Sequence, residues 1–459
     1  MQKVFFIGIG GMGMSTLALL AKKLGWQVEG SDVQDSSNVS LLRKKAIKVF
    51  IGHSPNNIKR SKPNLVVYSS AIKPDNCERK EAEKLHLPLL PRALFLAQLV
   101  SPFKTIAVAG THGKTTTTSM IGFILQQAGK PAYVYLGGKN KCIRNTKIKK
   151  DSWIVLETDE SDKSFLYFDP DIAVVTNIDK DHLSNYDYDF RKLKTAFGKF
   201  IKGKGMRKWT VVCSDDKDLT SVVRKTQVKN LLTYSIRKSA DLRITKIIPQ
   251  EKGSLIKVAQ RGRKTPFQVE LPIWGEKYLS DALAAILAAS KAGISIKKSL
   301  NILRNYHLPQ RRREIVGRVK DIIVIDDYAH HPTEIKSTLA SLAIFKRRIV
   351  AIYEPHRYTR MKMLKDEVGT AFKDADVIIS LDICPAFEKP IPGITGKKVF
   401  QWIKKYNPKK EVYYVKNLAD VPAFILPLSQ KNDLIVTLGP GTIKDLPQKI
   451  IHYLKRNYR

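Results

Sequence analysis

Lys114 and Thr115 are the residues of this 459-residue chain best placed, by type and spacing, to do chemistry. They close the segment Gly110-Thr-His-Gly-Lys-Thr-Thr116, which lies between an apolar run at 106–109 and a stretch, 116–127, whose Met120, Ile121, Phe123, Ile124 and Leu125 recur at helical spacing. Strand, glycine turn, Lys-Thr and helix together cradle a nucleoside triphosphate. Turn amides and the positive end of the helix dipole face the phosphate oxygens, the lysine adds charge near the β and γ groups, and the hydroxyl reaches Mg²⁺. Gly110, Thr111, His112, Gly113, Lys114, Thr115 and Thr116 are therefore expected to hold the nucleotide, although Val108 stands where the common G-x-x-x-x-G-K-[ST] pattern has its first glycine. A strand at 153–156 ends in Glu157-Thr-Asp-Glu-Ser-Asp162, and its first carboxylate, Glu157, is the expected metal ligand. Asp159, Glu160 and Asp162 read as structural or solvated loop residues. A strand at 172–176 leads to His182, which at this edge suits a second Mg²⁺ or a held water.

These groups need rigid strands behind them. The N-terminus runs into a strand at 4–8, a turn with Gly8, Gly10, Gly11 and Gly13, Ser15, a helix at 16–23 and a strand at 27–30 that ends at Ser31-Asp32. That is a Rossmann-like beginning: the glycine turn seats a diphosphate on a helix N-terminus and Asp32 takes sugar hydroxyls, and for this motif alone a nicotinamide dinucleotide fits as well. Ser69 and Ser70 follow another short strand and suit a ligand edge. Beyond residue 202, short strands are expected at 210–213, 231–234, 242–248, 254–258 and 267–271, then an Ala-rich helix at 279–293. The segment 308–314 reads as a basic linker whose Arg312 reaches an active site. Strands at 322–326, 349–353, 377–380, 412–415 and 434–438 then alternate with helices, with polar clusters after three of them. The expected fold class is α/β in three domains: N-terminal Rossmann-like (1–101), central P-loop ATPase-type α/β (102–313) and C-terminal Rossmann-like α/β (314–459).

The charge balance, 80 basic against 42 acidic residues, invites a nucleic-acid reading. The basic residues are spread along the chain and are not interleaved with aromatics, so polyanionic small molecules are the expected ligands, with no nucleic acid and no membrane partner. Four cysteines without a C-x-x-C pair read as reduced thiols, and the N-terminus shows no signal-peptide pattern, so a cytoplasmic protein is expected.

Several segments in order resemble the Mur ligase family: Gly8-Ile-Gly-Gly-Met-Gly-Met-Ser15, Ser69-Ser-Ala-Ile72, the phosphate loop, Asp159-Glu-Ser-Asp162 after Glu157, Thr176-Asn-Ile-Asp-Lys-Asp-His182, Asp327-Tyr-Ala-His-His-Pro332 and Pro355-His-Arg-Tyr-Thr-Arg360. The last two resemble its alanine-adding branch in particular. The resemblance implies ATP-driven amide formation between L-alanine and the lactyl carboxylate of UDP-N-acetylmuramate, through an acyl phosphate, with Mg²⁺, for peptidoglycan precursor synthesis. The alternative is a sister ligase that attaches a preformed peptide to the same sugar nucleotide. The resemblance further implies that Gly10, Gly11, Gly13, Ser15, Ser31, Asp32, Ser69, Ser70 and Arg312 bind the sugar nucleotide. Lys114 and two Mg²⁺, one on Thr115 and Glu157 and one on His182, would neutralise the triphosphate. His330 or His331 would accept the amine proton, Arg357 and Arg360 would take the alanine carboxylate or the acyl phosphate, and Asp326 or Asp327 the ribose. A monomer or weak homodimer is expected, closing on hinges near 99–104 and 308–318. One departure stands out: the family's Gly-x-His-Asn-x-x-Asn, which helps hold adenine, is replaced by Gly275-Glu-Lys-Tyr-Leu-Ser-Asp281. A second is Gly439-Pro-Gly-Thr442 in place of Gly-Ala-Gly-Asp.

Overall fold

The computed structural model of the chain describes every residue except 1, 137–139, 141, 145, 205–207, 251, 387 and 458–459. Its strands form three sheets. The chain divides into two compact units, one of Met1–Arg243, Gln260–Gly262 and Ala282–Leu303, the other of Ile244–Ala259, Arg263–Asp281 and Arg304–Arg459.

The first unit opens with β1 (Lys3–Ile7), α1 (Met12–Lys23), β2 (Gln27–Asp32), α2 (Ser37–Lys44), β3 (Lys48–Ile51), α3 (Pro55–Ser61), β4 (Leu65–Tyr68), α4 (Cys77–Lys84), β5 (Leu89–Pro91) and α5 (Arg92–Val100). The strands pair in the order β3-β2-β1-β4-β5, all parallel. Strand order reverses between β1 and β4, which opens a crevice at their carboxyl ends. Gly8 and Ser69 face each other there: a Cβ on Gly8 would lie 3.4 Å from that of Ser69. Helix α1 starts at Met12, earlier than residue 16, because Ser15 N donates to Gly11 O at 2.8 Å and so closes the first turn inside the glycine segment.

The same unit continues through β6 (Lys104–Ala109), α6 (Lys114–Gln127), β7 (Ala132–Tyr135), β8 (Trp153–Glu157), β9 (Ile172–Val175), α7 (Phe190–Lys202), β10 (Trp209–Cys213), α8 (Lys217–Thr226) and β11 (Leu231–Ser235). These strands form a parallel run, β11-β10-β9-β6-β8-β7. Ile106, Ala107, Val108 and Ala109 are wholly buried, as a strand covered on both faces requires, so Val108 is a core residue. β12 (Leu242–Gln250) begins beside β11, pairing Leu242 with Tyr234. In the second unit β13 (Gly253–Gln260) and β14 (Phe267–Leu271) form an antiparallel pair. Helix α9 (Glu276–Lys291) crosses from one unit to the other, and residues 282–289 are 3% exposed or less, which leaves room mainly for alanine. Helix α10 (Ile296–Leu303) closes the first unit.

The second unit then runs β15 (Glu314–Val319), β16 (Ile322–Asp327), α11 (Pro332–Ala343), β17 (Ile349–Tyr353), α12 (Tyr358–Met363), α13 (Lys365–Gly369), β18 (Val377–Ser380), α14 (Gly396–Tyr406), β19 (Glu411–Tyr414), α15 (Val421–Ile425), β20 (Leu434–Leu438) and α16 (Leu446–Asn457). The sheet order is β15-β16-β20-β17-β18-β19, with β15 antiparallel to its neighbour and the other pairs parallel. This corrects the placing of 314–318 within a hinge and of Glu314 in the linker 308–314. From Glu314 onward the chain is an edge strand paired to β16, turning at Lys320 with φ 49°. The signal was the apolar alternation Ile315, Gly317, Val319 before a two-residue turn.

Candidate active site

At the end of β6 the chain has one way to turn. Gly110 has φ 137°, and a Cβ there would lie 2.0 Å from Thr176 Oγ1; Gly113, at φ 83°, caps α6. Both positions demand glycine. The loop is clamped by the segment after β9. His112 N donates to Asn177 Oδ1 at 2.9 Å, Asn177 Nδ2 and Thr176 Oγ1 donate to His112 O at 2.9 and 2.6 Å, and Asp179 N donates to Thr111 Oγ1 at 2.9 Å. The His112 ring lies inside, 3.0 Å from Asp179 Oδ2. Thr116 is buried in the first turn of α6.

Lys114 is folded back over this loop. Its Nζ donates to Gly110 O at 2.7 Å, to Thr111 O at 3.2 Å and to Glu160 Oε2 at 2.6 Å. Burial works against its charge, but the carboxylates of Glu160, Asp159 and Glu157 together outweigh that and hold the ammonium above its ordinary range. Glu160 is wholly buried, and burial pushes it up to about 7 despite the pull of Lys114. Beside this pair, Thr115 Oγ1 donates to Glu157 Oε1 at 2.8 Å. Asp159 lies lower than usual: burial raises it, and the charge of Lys114, the Ser161 amide and His182 more than reverse that. His182 has φ 55°, and its Nε2 lies 3.5 Å from Asp181 Oδ2.

In the N-terminal turn Gly10 N donates to Asp32 Oδ2 at 2.8 Å, and a Cβ on Gly10 would crowd that oxygen at 2.9 Å. Asp32 thus shapes the turn. Ser15 and Ser31 are turned inward: Ser15 Oγ donates to Met12 O at 3.0 Å, and Ser31 Oγ to Glu78 Oε2 at 2.5 Å, where His53 Nδ1 also lies at 2.8 Å. Ser69 Oγ accepts from Ala71 N at 3.3 Å, and Ser70 is exposed. Gly11 is exposed at the head of α1.

In the second unit two strand ends bring histidine and arginine together. His330 Nδ1 donates to Tyr328 O at 3.0 Å, so in the neutral ring the lone pair is on Nε2; the ring meets those of Tyr328 and His356, each at 5.6 Å. His331 instead caps α11: its Nδ1 accepts from Thr333 N at 3.3 Å within a capping box completed by Glu334. Arg360 is buried and donates to His356 Nδ1 at 3.0 Å and to His356 O at 3.3 Å. Arg357 has φ 67°, unusual for a side-chain-bearing residue, and its buried Nε has no hydrogen-bond partner among the described residues. Asp327 accepts from Ala329 N at 2.8 Å, Arg313 N at 3.1 Å and Thr338 Oγ1 at 3.2 Å, and burial pushes its carboxyl up. Asp326 is bound to Arg311 Nε at 2.7 Å, and Arg312 stacks 5.0 Å over the Tyr328 ring.

Three family models cover this arrangement: "Mur ligase family, catalytic domain" on residues 3–104, "Mur ligase middle domain" on 108–289 and "Mur ligase, glutamate ligase domain" on 311–441. The UDP-N-acetylmuramate–L-alanine ligase of Dictyoglomus turgidum is 38% identical over 96% of this chain and 95% of its own length. The chain belongs to the Mur ligase family. The crystal structure of the UDP-N-acetylmuramate-alanine ligase MurC of Thermotoga maritima matches with a TM-score of 0.81 at 26% identity, covering 99% of this chain and 100% of that one. A murein peptide ligase of Psychrobacter arcticus, also 26% identical and covering 99% of each chain, matches with a TM-score of 0.68.

Sequence reasoning about this Mur ligase missed Glu160, Asn177, Asp179 and His356. An acidic loop residue is usually solvated, and no spacing rule marked Glu160 as the carboxylate that turns inward to Lys114. The substituted adenine segment is absorbed within the second unit. The Arg313 guanidinium lies 3.8 Å over the Tyr278 ring, and Lys277 Nζ lies 3.5 Å from Glu334 Oε1. Likewise Thr442 donates to Glu354.

The Lys114–Glu160 pair gives a first expected result. Glu160→Gln leaves a largely buried ammonium bonded to carbonyls, with Asp159 and Glu157 as its remaining counter-charges, which costs on the order of 3 kcal/mol. The variant should melt below the wild type, and a non-hydrolysable ATP analogue should narrow the gap by supplying phosphate charge. Differential scanning calorimetry of both proteins with and without the analogue measures this; an unchanged gap would contradict it.

Proposed function

We infer that this Mur ligase couples ATP hydrolysis to amide formation between L-alanine and the lactyl carboxylate of UDP-N-acetylmuramate. The observation that carries the reading is the 38% identity, along nearly the whole chain, to a ligase of that name. The intact Lys114, Thr115 and Glu157 constellation supports it. A carboxylate is a poor acylating agent, so its oxygen first attacks the γ-phosphorus and the bond to the β-bridging oxygen breaks, releasing ADP. The alanine nitrogen then attacks the carbonyl carbon, the bond to the phosphate oxygen breaks, and the nitrogen loses a proton. Lys114 leaves Glu160 to meet the γ-phosphate as charge builds there.

Two hard oxygen donors 2.8 Å apart, Thr115 Oγ1 and Glu157 Oε1, fit Mg²⁺, and His182 would hold a second ion. When bound, Mg²⁺ supplies the positive charge that lets a carboxylate approach a triphosphate. Arg357, with its orphaned Nε, is assigned to the alanine carboxylate, and Arg360 orients His356. Asp327 and Arg312 are assigned to the nucleotide ribose and the sugar nucleotide, which requires their present partners to give way. Gly10, Gly11, Gly13, Ser15, Ser31, Asp32, Ser69 and Ser70 are assigned to the UDP-sugar crevice. Domain limits at 101 and 313, a monomer or weak homodimer, and the cytoplasm complete the proposal. No described helix is long and apolar enough to cross a membrane.

His330 is assigned as proton acceptor through Nε2, and His331 as the α11 cap. His330→Ala should lower kcat by about 10²-fold or more, with the alkaline limb of the pH profile changed. His331→Ala should cost about 1 kcal/mol of stability and leave kcat near that of the wild type. Steady-state assays and thermal melts of the two variants separate the roles, and the reverse pattern would exchange the assignments. The function itself is tested by phosphate release with ATP, Mg²⁺ and UDP-N-acetylmuramate, screened across amino acids and an L-Ala-γ-D-Glu-diaminopimelate tripeptide. Turnover with L-alanine is expected; turnover with the tripeptide alone would assign the protein to the peptide-attaching branch.

A further inference from the structure

The glycine turn after β1 carries no cation of its own, since Gly8-Ile-Gly-Gly-Met-Gly-Met-Ser15 has neither lysine nor arginine. A diphosphate seated on it brings two or more negative charges against backbone amides alone. Arg92, the first residue of α5, lies against this turn: a Cβ on Gly13 would be 2.7 Å from its Nη1. Burial and the positive end of the α5 dipole work against a cation here, and Tyr135, Asp162 and Asp159 more than offset them, holding the guanidinium above its ordinary range. The side chain is only 24% exposed, and its carboxylate neighbour, Asp162 Oδ2, stands 4.0 Å away, at the limit of an ion pair.

The turn beside the guanidinium is held from the neighbouring domain of the same unit. The hydroxyl of the buried Tyr135, at the end of β7, donates to Gly13 O at 2.9 Å, so it and Arg92 Nη1 stand against the same turn residue. Tyr135 thus fixes the turn residue that Arg92 lies against. Asp162 belongs to the loop whose Glu160 grips Lys114. A guanidinium set against a glycine turn, with its carboxylate partner 4.0 Å away and not in close contact, can turn its charge to an anion seated on that turn.

We propose that Arg92 is the side-chain cation for the diphosphate of the sugar nucleotide, acting at a turn that Tyr135 fixes from the nucleotide-binding domain. The proposal rests on the reading of the N-terminal crevice as the UDP-sugar site. It gives the turn the charge that its own sequence lacks, and it places one contact of the sugar-nucleotide site against the loop that holds the ATP-site lysine.

Isothermal titration of the full-length protein, without ATP, with UDP, UDP-N-acetylmuramate and uridine tests it. Arg92→Gln should weaken UDP and UDP-N-acetylmuramate by about 10- to 100-fold, as for loss of a charge-assisted contact. Uridine and ATP-analogue binding should stay within about twofold of wild type, and Arg92→Lys should recover part of the loss. Tyr135→Phe, which keeps the charge and removes the hydroxyl that fixes Gly13, should give a smaller loss in the same direction. Equal binding of UDP by Arg92→Gln and wild type overturns the proposal. A parallel loss of uridine and ATP-analogue binding overturns it too, since that is the mark of a merely structural role. Wild-type protein that binds no UDP-sugar at all would instead bring down the underlying reading of the crevice.

Discussion

Replacing Lys114 with methionine should lower kcat by about 10³-fold or more, the cost of removing one preorganised cation from a phosphoryl-transfer site. The loss should fall on kcat rather than on the fold. In the resting protein Lys114 faces Glu160, and burial lifts that carboxyl to about 7 even beside the ammonium. Without the lysine the lift is larger, so near neutral pH the side chain is held protonated and uncharged and the pocket tolerates the change. A melt close to that of the wild type, with turnover nearly abolished, is the expected pair of results. Turnover within tenfold of the wild type would remove Lys114 from the mechanism.

Glu157→Ala is the second large effect. It deletes the carboxylate that Thr115 Oγ1 touches at 2.8 Å and so half of the proposed cation site. The Mg²⁺ concentration for half-maximal rate should rise by about 10- to 100-fold, with kcat at saturating metal down by about 10³-fold. Mn²⁺ titration followed by electron paramagnetic resonance reads the binding loss without turnover. Unaltered Mn²⁺ affinity would move the metal to another carboxylate of the same loop, with Asp159 the next to test.

The fold was largely legible because its signals are local. Apolar runs such as 106–109 and 172–175 are too short for helices and end in glycine or polar clusters, and the structure makes strands of them. The phosphate loop was legible for the same reason: Gly110 and Gly113 occupy backbone conformations that a side chain would block, so their spacing carries geometry. The site around the loop was less so. Glu160 reaches Lys114, Asn177 clamps His112, and Arg360 holds His356 through side chains that share no periodicity with their partners. Histidines 330 and 331 stand side by side in sequence, and only the capping geometry of α11 tells the proton acceptor candidate from the helix cap. The edge strand β15 was lost for a different reason. Three arginines before it read as a basic linker and masked the alternation that follows.

The account turns on the lactyl carboxylate being phosphorylated before the amine attacks. UDP-N-acetylmuramate carrying ¹⁸O in that carboxylate, turned over with ATP, Mg²⁺ and L-alanine, tests this directly through the mass of the released phosphate. One ¹⁸O atom per phosphate is the result predicted. Unlabelled phosphate, with one heavy atom kept in the amide and the other lost to water, would contradict it.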